Sequence, residues 1–468
     1  MAQATIAVIV GNRDFFPDRL IAEGRQDILQ LFQEMDIEPV ILGESDTKLG
    51  AVETWTHAKR CADLFKTHRE RIEGILVTLP NFGDEKGIAD TLKLSGLDVP
   101  VLVQAYPDNL REMNLERRRD AFCGKISACG NLRQYRIPFS LTSLHTVHPA
   151  DESFKNDFRN FIAVCKVVKG LKNARIGAIG ARPNAFNTVR YSEKLLQESG
   201  ISVSTIDLSE ITGKAQKLPD GDNRVKETLA EINAYANAGS VPQAPLAAMA
   251  KLFVVIRDWM RQYDLNATAI QCWSSLQENY GVNACTLMSM MSEQLLPSAC
   301  EVDVTGVVAM YALQLASNRP SALVDWNNNY GDDPDKCVFF HCGNWAKSFL
   351  PDLRMQNADI LAATFGADIT YGAVVGRTPA GPLTFARVST DDACGLICAY
   401  VGEGRFTGDP LETFGARAVA FVPNLQGLLH YICAYGFEHH AAMSASQTAG
   451  ILYEAFDKYL NWDVYLHM

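Results

Sequence analysis

Two acidic residues, Glu301 and Asp325, and three histidines, His341, His439 and His440, are side chains whose types could together hold a divalent ion and move protons. Glu301 begins the run Glu301-Val302-Asp303-Val304-Thr305-Gly306 ahead of a helix-like apolar segment, and Asp325 follows Ala322-Leu323-Val324 at the end of a strand-like one. The 24 positions between them fit a helix followed by a strand, a unit that returns its two ends to one place. Paired carboxylates on rigid elements suit an oxygen-liganded metal and also serve as acid and base. Ordinary roles exist as well. Glutamate at a helix start is favoured by the macrodipole, and aspartate after a strand is common turn chemistry. A mixed carboxylate and imidazole set favours Mn²⁺, Co²⁺ or Fe²⁺ over Ca²⁺. No HExxH or two-Cys, two-His spacing is present, so no single local motif spells out the ligands.

Those side chains need elements to aim them. Residues 1–155 alternate short apolar runs (Ile6–Val10, Pro39–Leu42, Gly74–Leu79, Val99–Gln104) with amphipathic segments (Phe16–Met35, Val52–Arg71). Such alternation predicts a doubly wound parallel sheet with ligands beyond the carboxyl ends of its strands, where Gly11-Asn12-Arg13 and Pro80-Asn81-Phe82 lie. Residues 156–320 repeat the pattern, with strands at Arg175–Ile179, Ile201–Asp207 and Ala267–Trp273 and helices at Glu227–Tyr235 and 245–263. The glycines of Gly177-Ala178-Ile179-Gly180 do not complete a dinucleotide fingerprint. Residues 321–468 change texture. Short β-like runs at Ala373–Val375, Leu383–Val388, Leu396–Val401 and Ala418–Phe421, divided by Gly/Pro turns, predict an antiparallel sheet or small barrel ending in a helix over Ser446–Leu460. The expected fold class is therefore α/β: two doubly wound, Rossmann-like domains, then a β-rich C-terminal domain.

Composition narrows the function. Apolar residues make up 47% and charged residues 21% of 468, ordinary for a globular chain. A net charge of −11 disfavours nucleic acid as partner. No 18-residue apolar run predicts a membrane span. The first residues read as a strand and not as a signal peptide, and twelve scattered cysteines without CxxC suit reduced thiols in a cytoplasm.

At the residues that could do chemistry, the chain resembles the L-fucose isomerase and L-arabinose isomerase family, especially its shorter fucose-isomerase-like members. Glu301 with Gly306-Val307-Val308-Ala309-Met310 is similar to the segment carrying the family's first metal glutamate. Asp325 in Val324-Asp325-Trp326 resembles its second metal carboxylate, and His440 in His440-Ala441-Ala442-Met443-Ser444 its C-terminal metal histidine. Asp120–Ser127 and Gln271-Cys272-Trp273 resemble further family segments. Glu438 departs from the amide that fucose isomerases carry before the histidine pair, which leaves the sugar open.

The resemblance implies interconversion of an open-chain aldose and its ketose through an ene-diol(ate), with Mn²⁺, or another divalent cation such as Co²⁺ or Mg²⁺, as cofactor. Glu301, Asp325 and His440 would bind the metal, and Glu301 and Asp325 would also form the acid/base pair. Gln271, Trp273 and His341 would meet the sugar, His341 alternatively serving as a further ligand. Arg13 would reach a neighbour's active site in a homo-oligomer, a hexamer by resemblance. Arg13, Arg182 and Arg190 would suit an anionic substituent on the sugar. Two other classes remain: a sugar-binding regulator or receptor with two α/β lobes, and a metal-dependent sugar hydrolase.

Overall fold

Five short runs of β-branched and aliphatic residues, each followed by an amphipathic segment, pair side by side at the N-terminal end of the chain. These are the strands Ala4–Val10, Ile37–Ile41, Gly74–Leu79, Val101–Ala105 and Ser140–Leu141, all parallel, in the order second, first, third, fourth, fifth. The computed structural model describes residues 3–468 and comprises two units, one reaching to Lys169 with Asp457–Asn461, the other Gly170–Phe456 with Trp462–Met468.

In the first unit every residue of Gly74–Leu79 is buried, as a sheet covered on both faces requires. The covering helices have identifiable starts and stops. Thr54 caps Trp55–Thr67 by accepting the His57 N–H, Asp84 caps Glu85–Ser95 by accepting the Gly87 N–H, and Gly96 ends the latter in the left-handed region. The strand order reverses between the first and third strands, and the loops at that switch point are tied together. Asn81 Nδ2 donates to Asn12 Oδ1 at 2.5 Å, and the Arg13 N–H donates to Asn81 Oδ1 at 3.3 Å.

The second unit holds a four-stranded parallel sheet, ordered Ser202–Ile206, Arg175–Ile179, Ala267–Ile270, Ser298–Cys300. It also holds a nine-stranded mixed sheet. At the centre of the mixed sheet, Ser321–Tyr330 lies between Asp333–His341 and His440–Ser444, antiparallel to both. The strands Gly381–Asp391 and Leu396–Phe406 continue the sheet outward. Helix Val304–Ser317 joins the two sheets. It is apolar around most of its circumference and is buried along most of its length, which fits an element covered on all sides. The C-terminal helix runs Ala449–Glu454 and continues as a π-helical turn, Ala455–Tyr459, close to the predicted span, and a last strand, Asp463–His467, pairs in parallel with Leu396–Phe406. Among the described residues no helix is long and apolar enough to cross a membrane.

Candidate active site

Glu301 does not lie inside a helix. It follows strand Ser298–Cys300 in a sharp turn in which Glu301 (φ 62°) and Val302 (φ 56°) are both left-handed. The helix begins at Val304, and its cap is Asp303, which accepts the Gly306 N–H at 2.8 Å. The turn therefore separates two acidic roles that the sequence superimposes. Asp303 serves the helix start, and Glu301 is left at the carboxyl end of a parallel strand, where such sheets place ligands.

Asp325 sits within a longer strand, not at its end. The strand runs on to Tyr330, with Asp325 opposite Phe340 on one side and His440 on the other. That cross-strand register makes Asp325 and His440 neighbours although 115 positions separate them in sequence. His440 Nε2 lies 3.5 Å from Asp325 Oδ1 and 3.2 Å from Glu301 Oε2. The rings of His341 and His440 are 5.6 Å apart. His439 lies at the solvent edge of this group, its Nε2 3.8 Å from Asp325 Oδ1 and its side chain 44% exposed.

The other nitrogen of His440 is held from behind. Its Nδ1 lies 2.8 Å from Asp303 Oδ2, and both residues are buried. Asp303 is in turn gripped by the fully buried Arg387, with Nη1–Oδ2 at 2.5 Å and Nη2–Oδ1 at 3.0 Å. Arg387 Nε donates to Glu438 Oε2 at 2.9 Å, and Ser389 Oγ donates to Glu438 Oε1 at 2.8 Å. A buried guanidinium without such partners would be strongly unfavourable. The sequence reading missed Asp303 and Arg387. A charged residue flanked by Ala386 and Val388 in an apolar strand was the available signal.

Electrostatics follow from this packing. Burial pushes the Glu301 carboxyl up, but His440, His341 and the Trp273 indole outweigh it, and the net shift is downward. Burial works against the His440 imidazolium, yet Asp303 and Glu301 raise it to about 9. Burial would also raise the Asp303 carboxyl, but Arg387 and His440 hold it far below the ordinary carboxylate range.

The Trp273 indole N–H donates to Glu301 Oε1 at 3.0 Å, and its ring meets Phe186 edge-on. Phe186 also packs on His439 and His440, so the loop after Arg175–Ile179 walls one side of the group. Gln271 Oε1 accepts the Ala181 N–H at 2.9 Å and ties that loop down. His341 Nδ1 accepts the backbone N–H of Cys342 at 2.9 Å. Arg13 belongs to the first unit. There its guanidinium lies over Phe82, donates to the Gly83 carbonyl and pairs with Glu85.

The donors fit a divalent ion. Ligand atoms of Glu301, His341 and His440 lie within 4.8 Å of one another, as do those of Asp325, His439 and His440. Glu301 Oε2 is buried with no hydrogen-bond partner, a condition rarely kept without a compensating group. Carboxylate oxygens with imidazole nitrogen match the first-row divalent metals.

Comparison with known proteins identifies the family. The profile described as "Fucose/sulfoquinovose isomerase, N-terminal domain" matches residues 7–172, and that described as "L-fucose isomerase, C-terminal domain" matches residues 339–467. A sulfoquinovose isomerase of Priestia aryabhattai is 25% identical over 339 residues, 70% of this chain and 71% of the relative. One of Alkalicoccus urumqiensis is 24% identical over 353 residues, 74% of this chain and 75% of the relative. A third, of Clostridium sp. (strain MSTE9), is 24% identical over 201 residues, 43% of this chain and 44% of the relative. With matches to the N-terminal and C-terminal domains of one family, and an acidic and imidazole cluster at the meeting of two sheets, the chain belongs to the fucose isomerase-like family of sugar aldose–ketose isomerases.

Proposed function

We propose that this protein is a metal-dependent isomerase of an anionic aldose, with sulfoquinovose as the leading substrate, and that Glu301, Asp325 and His440 are its metal ligands. The observation that carries the metal reading is the meeting of these three side chains, with Glu301 Oε2 buried and without a hydrogen-bond donor. The names of the relatives support the sulfonated sugar. A divalent ion such as Mn²⁺, when bound there, supplies Lewis acidity toward the sugar's O1 and O2.

The chain's own groups then have distinct tasks. Isomerisation moves the C2 proton to C1 and a second proton between the two oxygens. Glu301 and Asp325, both facing His440 Nε2, are the acid/base pair for these transfers. Asp303 fixes the proton of His440 on Nδ1 and turns the Nε2 lone pair toward the two carboxylates. Trp273 orients Glu301 through its indole N–H. His341 has its Nδ1 engaged by the Cys342 N–H, so Nε2 is left as a donor to a sugar oxygen. Phe186 screens the pocket from water, and Gln271, its oxygen anchored to the loop, offers its amide N–H to the sugar.

Arg182 lies half-buried on the same loop as Phe186 and is the candidate cation for the anionic substituent of the sugar. In a homo-oligomer, a hexamer by resemblance, the partner subunit's Arg13 would add a second. The test is a panel of sulfoquinovose, L-fucose, L-arabinose and D-arabinose incubated with Mn²⁺-loaded protein. Ketose formation fastest from sulfoquinovose supports the reading. A neutral aldose turned over faster would remove the anionic substrate, and hydrolysis products would remove isomerisation.

A further inference from the structure

Four buried or partly buried thiols converge beside His341, and the isomerase chemistry uses none of them. Cys272 follows strand Ala267–Ile270, Cys285 opens helix Cys285–Glu293, Cys300 ends strand Ser298–Cys300, and Cys342 follows strand Asp333–His341. The Cys300 thiol faces those of Cys272, Cys285 and Cys342. Cys285 Sγ and Cys342 Sγ are 3.9 Å apart, and His341 Nδ1 is 3.3 Å from Cys342 Sγ. Ligand atoms of Cys300, His341 and Cys342 all lie within 4.8 Å of one another.

Buried cysteines often pack as small apolar groups. Here separate elements deliver thiols and an imidazole to one place: Cys300, His341 and Cys342 form the close group, and Cys285 joins it through Cys342 at 3.9 Å. A tetrahedral ion with Zn–S bonds of about 2.3 Å and a Zn–N bond of about 2.0–2.1 Å sets sulfurs about 3.8 Å apart and nitrogen about 3.6 Å from sulfur. Thiolates select soft or borderline ions, where the carboxylates of the neighbouring site select harder ones.

We propose that Cys285, Cys300, Cys342 and His341 Nδ1 form a second metal site, tetrahedral and specific for a thiophilic ion of the Zn²⁺ class. Binding exchanges the three thiol protons, released to solvent, for three metal–sulfur bonds, and no electrons move. The Cys342 N–H gives up its contact with His341 Nδ1. Either partner on Nδ1 keeps the ring's remaining proton on Nε2, so an ion there locks the tautomer that faces Glu301 and His440. Thiolate ligation also withdraws Cys285 and Cys342 from disulfide formation.

The test uses the full-length chain, stripped with a chelator and reloaded with Co²⁺. Oxygen and nitrogen ligation gives weak visible bands, whereas tetrahedral thiolate ligation adds a near-ultraviolet charge-transfer band and intense visible absorption. We expect that spectrum in the unaltered protein and in Glu301→Gln, and its loss in Cys285→Ser and in Cys342→Ser. Only the weak spectrum in unaltered, Co²⁺-saturated protein would overturn the site, as would a Cys285–Cys342 disulfide found by mass spectrometry in protein purified under reducing conditions. Ketose formation is read on the same sample. Activity without the charge-transfer band sinks the thiolate site alone, and the band without activity sinks the isomerase reading alone.

Discussion

The Asp303 carboxylate lies 2.8 Å from His440 Nδ1, on the side of the ring opposite Glu301 and Asp325. This contact decides which nitrogen of His440 can coordinate. Partners behind a ligating histidine typically contribute about 10- to 100-fold to metal affinity or activity. Asp303→Asn should therefore weaken Mn²⁺ binding by about that factor in calorimetry. An unchanged affinity would mean that His440 does not rely on Asp303 for its orientation.

Glu301→Gln and Asp325→Asn should each lower turnover by at least about 10²-fold, the lower bound for losing an acid/base group. Circular dichroism should stay native, because the amides are nearly isosteric. Near-normal turnover in either variant would make that residue structural.

The histidine pair separates by exposure and by partner. His440 is buried against three carboxylates, and His439 reaches only Asp325 at 3.8 Å. His440→Ala should purify with little metal by mass spectrometry, while His439→Ala should keep most of it. The opposite pattern would place the ligand one residue earlier.

Lys125 gives a pH test that is independent of the metal. Its ammonium is buried, donating to Thr142 Oγ1 at 2.6 Å and to the His145 carbonyl at 2.9 Å, and burial lowers its pKa to about 8. Unfolded lysine titrates near 10.4. Between these values the unfolded chain binds more protons, so stability should rise with pH. The cost of charging is complete below pH 8 and gone above about 10.4, at most about 3 kcal/mol at 1.36 kcal/mol per pKa unit. Urea denaturation of the unaltered protein from pH 7 to 10 should show the rise, and Lys125→Met should flatten it. Parallel curves for the two proteins would refute a buried ammonium.

If the partner subunit's Arg13 completes the site, the protein is an oligomer at working concentration. Light scattering should report a multiple of 51.6 kDa. A monomer that retains full activity would remove Arg13 from the site.

Much of this architecture can be read locally. Four of the five parallel strands of the first unit lie within two residues of the apolar runs that predict them, while the two-residue strand Ser140–Leu141 carries no such run. Glu301, Asp325 and His440 stand out by type. What escapes is pairing. Nothing near Asp325 says that its strand lies between those of Phe340 and His440. Asp303 caps its own helix, and its grip on His440 depends on a strand 137 residues later. The hydrogen bond from Trp273 to Glu301 is likewise a tertiary fact that no local pattern shows. The four thiols look scattered because four elements must fold before they meet.

The turn at Glu301-Val302 has an evolutionary consequence. A β-branched residue at φ 56° is conformationally costly, on the order of 1–3 kcal/mol, and glycine at position 302 would relieve it. The valine's buried side chain offsets much of that cost, so Val302→Gly should leave the melting temperature nearly unchanged while loosening the aim of Glu301 and lowering turnover. Selection for thermal robustness alone would be nearly blind to this position, and selection for rate would hold the valine.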